Sequence, residues 1–251
     1  MSKLKVIFLI LTLVFALFFI KDRAGRGTGQ PVTSLKDKNG PSERIEKGIG
    51  EKMTYDVKLG AINLGKSVFT HLPSIEVNGR VLSVMVFETS LARFKDTEVI
   101  YADPQTILPV KVERDISKWF SREKITEEYD QEAFSVTIKK QGSSRPLVFK
   151  KDSPIHNAVL LPQYIRYFQE LLDVEGVIIA NLPNRRYEIR RVSTEEIKVP
   201  AGIFKTYHLS STPNHIDIWI SADDRRIPVK IKSNNLALGY VLVLKEYTPG
   251  N

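Results

Sequence analysis

The sequence contains no cysteine, and this absence excludes several kinds of protein and site. A disulfide scaffold, a thiol nucleophile, a zinc site with cysteine ligands and an iron–sulfur cluster all require cysteine. A lipoprotein anchor is excluded for the same reason, because the residue that carries its acyl chains is a cysteine. The remaining composition, 42% hydrophobic and 26% charged residues, is typical of a folded globular protein.

Established catalytic motifs are also missing. The chain has no Gly-x-Ser-x-Gly, His-Glu-x-x-His, Walker loop or Rossmann fingerprint. His208 and His215 flank a turn with Asp217 close by, but two histidines without an assured third ligand are more typical of a strand surface. Adjacent strand residues such as Glu127 and Glu128 point to opposite faces, so they form no acid/base dyad. We predict no catalytic residue, metal or cofactor; a hydrolase would need a site assembled across strands.

The formal net charge of +8 does not indicate a nucleic-acid partner once it is divided along the chain. Residues 1–20 carry +2 and residues 21–50 carry +3, which leaves +3 for residues 51–251. The densest local cluster is Arg185, Arg186, Arg190 and Arg191. Strand alternation places these arginines on both faces, so they form no phosphate-binding stripe.

Residues 6–20, VIFLILTLVFALFFI, form an uninterrupted apolar run that follows Lys3 and Lys5. The run fits the apolar core of a signal peptide and is short for a full membrane span of ~20 residues. No Ala-x-Ala cleavage site follows it, and charged residues begin at Lys21. We predict that residues 1–20 are a signal peptide or an uncleaved signal anchor. The protein is then periplasmic, and inner-membrane anchored if the segment stays uncleaved.

Residues 21–50 have the composition of a flexible polar linker. They hold six of the 14 glycines and no aromatic residue. Such a segment cannot bury enough apolar surface to offset the backbone entropy lost on ordering.

From residue 51 the hydrophobic pattern has a period of two, as in Met53, Tyr55 and Val57, which is typical of half-buried strands. Asn78–Gly79 is the clearest hairpin turn, because both central residues of a type I′ turn need positive φ. Connections this short force antiparallel pairing. Residues 51–251 are therefore predicted to form a mainly β domain, a large curled antiparallel sheet or open barrel with a meander-like order in two halves.

One segment departs from this pattern. Start signals at Asp152–Pro154 and a stop signal at Gly176 predict one amphipathic helix around residues 154–172, with Gln163 and Arg166 on its polar face. The apolar face either packs on the sheet or covers an apolar cavity inside it. In the second case the candidate ligand-binding residues are Leu161, Ile165, Phe168 and Leu172.

Three blocks resemble a known family. They are residues 54–65 with TYDV and two later glycines, residues 199–205 with VPAGIFK, and residues 218–230, where Trp219 precedes an acidic turn and a Pro-Val return strand. Together they resemble the exported bacterial proteins catalogued as domain of unknown function 3108, over roughly residues 54–245. The resemblance implies an exported β protein of the cell envelope, with no established activity to carry over.

Two non-enzymatic functions fit these features. In one, the sheet encloses an apolar cavity and carries a lipid or an acyl chain, an arrangement similar to periplasmic lipoprotein carriers. In the other, the domain docks envelope proteins through a sheet edge. The run at residues 238–244 is apolar on both faces and should be covered on both in either case. We favour the carrier.

Overall fold

The fold was obtained as a computed structural model, which describes residues 45–168, 172, 176–234 and 239–250. The predicted targeting segment, residues 6–20, lies outside the described residues, as does most of the predicted linker. Within the described part of the chain, no helix is long and apolar enough to cross a membrane.

In the part of the domain that the structure describes, fourteen strands and one helix have defined bounds. The strands are β1 (Lys52–Leu59), β2 (Ile62–Val77), β3 (Arg80–Leu91), β4 (Phe94–Ala102), β5 (Pro109–Lys118), β6 (Ser121–Asp130), β7 (Ser135–Lys140), β8 (Leu147–Lys150), β9 (Ile178–Leu182), β10 (Arg185–Val199), β11 (Gly202–Thr212), β12 (Ile216–Ser221), β13 (Pro228–Ser233) and β14 (Val241–Thr248). The helix, α1 (Leu161–Tyr167), lies between β8 and β9.

All strands belong to one antiparallel sheet that is not closed, with β8 and β9 at its edges. Neighbours in sequence are neighbours in the sheet, as the short connections predicted. The exception is the step from β8 to β9, which lie at opposite edges of the sheet. The two meanders, β1–β8 and β9–β14, are joined by the pairing of β1 with β14. Asn78 and Gly79 have φ of 52° and 75°, which confirms the predicted hairpin. The prediction of a mainly β, meander-like sheet in two halves is confirmed.

The edge of β9 is covered by the segment that follows β8. Ile155 forms a parallel bridge with Asn181, and the His156 amide donates to the Asn181 carbonyl at 2.6 Å. The amide side chain of Gln131, in the β6–β7 turn, bonds both backbone groups of Ile155 at 2.9 and 3.0 Å. One backbone bridge and the Gln131 side chain, rather than a continuous ladder, therefore link the β9 edge to the first half of the sheet.

The helix differs from its prediction in length and in environment. It spans only Leu161–Tyr167, because the Asn157 side chain accepts the amides of Val159 and Leu160 in a preceding turn. Gln163 and Arg166, predicted on a solvent-facing side, are buried. The helix therefore lies inside the curled sheet.

The folded part begins before residue 51. Ile45, which the linker prediction included, is 1% exposed and belongs to the main core cluster. The segment then joins β2, since the Gly50 amide donates to the His71 carbonyl at 2.9 Å and the His71 amide donates to the Glu51 carbonyl at 3.0 Å. The burial of Ile45, local turn hydrogen bonds and the Gly50 bond to the sheet place residues 45–50 in the folded domain despite their glycines, so the linker boundary at residue 50 is corrected.

The two ends of the sheet differ. At one end, which we call the turn end, lie the β1–β2, β3–β4, β5–β6, β9–β10 and β11–β12 connections, together with the β13–β14 loop. At the other, the entry end, the chain enters β1 and leaves β14, where Lys52 pairs with Thr248. Core side chains such as Met53 and Tyr55 fill the entry half together with α1.

Candidate functional site

A cavity of about 210 Å³ lies in the turn-end half of the sheet. Both halves of the sheet contribute its walls, which shows that the sheet curls around a common interior. The apolar lining includes Val57, Leu59, Leu64, Phe87, Leu91 and Phe94 from the first half and Leu182, Tyr187, Ile216, Ile231 and Leu242 from the second. The partly exposed lining residues Leu59, Leu64, Leu91 and Asn184 adjoin turns, so the mouth is at the turn end.

Strand alternation explains how one side of the cavity becomes polar. On β4 the inward-facing residues are Phe94, Asp96, Glu98 and Ile100. The first three line the cavity, whereas Ile100 is in the core beyond it. Two carboxylic acids therefore occupy positions that are apolar elsewhere on the same face of the strand.

Arg114 on β5 completes a buried group that we call the polar wall: Asp96, Glu98 and Arg114. Arg114 lies directly opposite Glu98 in the ladder. Its guanidinium binds Asp96 through two nitrogens, with Nε at 2.9 Å from Oδ1. The contact to Glu98 is longer, 3.4 Å between Nε and Oε1. All three side chains are less than a tenth exposed, so this ion pairing takes place largely away from water.

Burial raises the pKa of Glu98 to about 7, and the charges of Asp96 and Glu127 add to this effect while Arg114 opposes it. Glu127, on β6, lies behind the polar wall and accepts a hydrogen bond from Tyr129. Burial raises the pKa of Glu127 as well. One guanidinium thus faces three buried carboxyl groups, and the polar wall is short of positive charge.

The four helix residues predicted to bind a ligand do not line this cavity. Leu161, Ile165 and Leu172 pack in the core cluster of β9–β12, and Phe168 packs against the main cluster. The physical reason is that α1 fills the entry half of the sheet. The cavity is instead contacted by the turn before the helix, residues 157–159, and by Pro162.

The histidines considered for a metal site are not brought together. His208 stacks on Trp219 with ring centroids 4.2 Å apart, and its Nε2 is 3.3 Å from Asp217. His215 instead contacts Arg185 at 2.8 Å. No group of three or more potential metal ligands occurs among the residues that the structure describes.

Sequence reasoning missed the polar wall because its members resemble the solvent-facing residues of amphipathic strands. The expectation for the acidic pair was confirmed: Glu127 is buried, whereas Glu128 is exposed and pairs with Lys139 at 2.6 Å. The available signal was spacing, since Asp96 and Glu98 have the same parity as Ile100 and so share its face.

A family described as "Protein of unknown function (DUF3108)" matches residues 54–245. A comparison with the curated proteins gives no match.

Three solved structures are similar to this chain. A beta-barrel-like protein of domain of unknown function DUF1849 from Brucella abortus has a TM-score of 0.52 at 9% identity, covering 81% of this chain and 98% of that one. A protein from Bacteroides fragilis described as exported, with a YmcC-like fold, has a TM-score of 0.28 at 12% identity, covering 80% and 96%. A protein from Parabacteroides distasonis described as a lipoprotein has a TM-score of 0.26 at 11% identity, covering 80% and 96%. The first of these supports a shared barrel-like fold.

Proposed function

Because the chain belongs to the DUF3108 family of proteins of unknown function, we propose its role from the cavity: an exported, non-enzymatic carrier of an apolar ligand such as a lipid or acyl chain. The observation that carries this proposal is a cavity with apolar walls from both halves of the sheet. The apolar part of this cavity, away from the polar wall, is poorly suited to hold water and well suited to hold hydrocarbon.

The size of the cavity limits the ligand. At about 210 Å³ it is larger than an engineered cavity of ~150 Å³ that binds benzene, and smaller than most drug-sized pockets, which begin at ~300 Å³. This volume suits a single alkyl chain segment. Its mouth at the turn end gives the chain a route in that crosses no strand ladder.

Native mass spectrometry of the full chain, released gently from its own envelope membranes, tests the carrier. We expect a bound lipid or fatty acyl species at near one-to-one stoichiometry. Leu91→Trp places bulk in the cavity and should abolish this species, because the new indole occupies the ligand volume. Leu147→Trp, at an exposed position on β8, is the matched control and should retain it. A folded wild-type protein that carries no apolar ligand contradicts the proposal.

Export to the periplasm is part of the same proposal and rests on residues 6–20. A phosphatase that is active only outside the cytoplasm, fused after residue 251, should be active. Retention of full mass in the alkaline-washed membrane pellet would indicate an uncleaved anchor, and a shortened soluble form would indicate a cleaved signal peptide. Activity of a cytoplasm-only reporter at the same position would contradict export.

A docking module is the alternative function, and the β8 edge favours it. β8 pairs with β7, and its Leu147 and Val148 are 42% and 56% exposed, as an edge that accepts another strand would be. Val148→Lys should then remove a co-purifying envelope protein and leave any bound lipid in place. If Val148→Lys retains both the co-purifying protein and the bound lipid, this docking mode is excluded.

A further inference from the structure

The polar wall restricts which head group can accompany an apolar chain in the cavity. Its positive charge is already engaged, because Arg114 holds Asp96 through two nitrogens and also contacts Glu98. An incoming carboxylate at this wall would meet Asp96 and Glu98, and the only guanidinium there is already engaged. The other cation among the lining residues, Lys232, is on β13 in the second half of the sheet and is not part of the polar wall. Repulsion between like charges is strong where water is largely excluded.

Hydrogen-bond acceptors, by contrast, are plentiful at this wall. Glu98, Asp96 and Tyr129 all line the cavity, and the Tyr129 hydroxyl already donates to Glu127. Both oxygens of Asp96 accept from Arg114, whereas the guanidinium is 3.4 Å from Glu98, longer than a normal hydrogen bond. A ligand group that donates a hydrogen bond would give the Glu98 carboxyl a closer partner.

We propose that the cavity selects a single-chain amphiphile whose head donates hydrogen bonds, an amine or a hydroxyl, and that it rejects a chain ending in a carboxylate. This inference rests on the proposed carrier function. The head lies against Glu98 and Asp96, and the alkyl chain extends along Leu91, Phe87 and Leu242 in the apolar part of the cavity.

Equilibrium dialysis with three labelled probes of equal chain length tests the selection: dodecylamine, 1-dodecanol and dodecanoate. The full chain is held in lipid nanodiscs, and empty nanodiscs are subtracted so that partition into lipid cancels. We expect saturable binding of dodecylamine and 1-dodecanol, with dodecanoate at least about tenfold weaker, the ratio that ~1.4 kcal/mol produces.

Glu98→Gln assigns the effect to the polar wall. It keeps the size of the side chain and removes its negative charge, so dodecylamine should bind about tenfold more weakly, dodecanoate should gain affinity, and 1-dodecanol should change little. Glu88→Gln, on β3 and paired with Lys95 at 2.8 Å, is the matched control and should leave all three affinities unchanged.

A second measurement needs no variant. The titratable and charged groups that interact with Glu98 are Asp96, Arg114, Glu127, Tyr129 and Tyr240. The pKa of the Glu98 carboxyl itself is raised to about 7. Dodecylamine stays protonated near neutrality, so its affinity should rise between about pH 6 and about pH 8 as Glu98 ionises, whereas that of 1-dodecanol should not rise.

Two results separate the inference from the function on which it rests. If none of the three probes binds, the carrier function itself fails. If dodecanoate binds as tightly as 1-dodecanol, or if Glu98→Gln leaves the order of affinities unchanged, the carrier stands and the head-group selection is overturned.

Discussion

Glu51→Ala should destabilise the protein strongly, because it leaves a buried arginine without its counter-ion. Glu51 accepts two hydrogen bonds from Arg166, at 2.5 and 2.7 Å, and one from the Tyr247 hydroxyl at 2.7 Å. After the change, Arg166 keeps only weaker neutral partners among those observed, the Arg225 carbonyl at 2.9 Å and the Gln163 side chain at 3.3 Å. Breaking one side of a buried ion pair costs ~3–5 kcal/mol.

Urea unfolding of the full chain in nanodiscs, followed by tryptophan fluorescence, measures this loss. Tyr247→Phe is the control: it removes one hydrogen bond to Glu51 and should cost ~1 kcal/mol. The double change Glu51→Leu with Arg166→Met removes both charges and should be less destabilising than Glu51→Ala alone. The reasoning is refuted if Glu51→Ala lowers the free energy of unfolding by less than Tyr247→Phe does. It is also refuted if the double variant loses as much unfolding free energy as Glu51→Leu alone and Arg166→Met alone lose together.

Three further changes test other parts of the structure. Ile45→Ala should cost ~2–5 kcal/mol in urea unfolding, whereas Ile62→Ala, 62% exposed, should cost less than ~0.5 kcal/mol; equal losses would place Ile45 outside the core. Gly65→Ala should unfold the β1–β2 hairpin or shift its register, because the new Cβ would lie 2.2 Å from the Ser90 carbonyl oxygen, and unchanged circular dichroism and melting temperature would contradict the close approach. Relative to the wild type, Glu98→Gln should become more stable as the pH rises from about 5 to about 8. A carboxyl whose pKa is raised in the folded state stabilises the fold below its unfolded pKa, and the wild type loses this contribution as the pH rises through about 7. A stability difference between the two proteins that stays constant between these pH values would contradict the raised pKa.

Much of the fold could be predicted from the sequence because strand periodicity and turn chemistry are local signals. Met53, Tyr55 and Val57 alternate as expected and are all buried, and the Asn78–Gly79 turn forms where it was predicted. The helix was less predictable. Its start depends on the side chain of Asn157, and the burial of its polar face depends on Glu51, more than a hundred residues away in sequence.

Only the general nature of the site could be predicted from the sequence, and not the residues that line it. The sequence left two alternatives for the helix, packing on the sheet or covering an apolar cavity inside it. The cavity is present, but α1 fills the opposite half of the sheet and its predicted ligand-binding residues do not line it. The polar wall depends on Asp96, Glu98 and Arg114 facing inward on neighbouring strands. Each strand alone suggests solvent exposure for these residues, and only the curl of the sheet turns that face into an interior.

The pairing of β1 with β14 also determines which end of the domain holds the mouth of the cavity. The described chain begins at residue 45 near the entry end, where Glu51 and α1 close the interior, while the mouth opens at the far end of the same strands. The start of the described chain and the mouth of the cavity therefore lie at opposite ends of the sheet. For the carrier proposed above, this arrangement lets a donor or acceptor approach the mouth along the strand axis without displacing the segment that leads into β1.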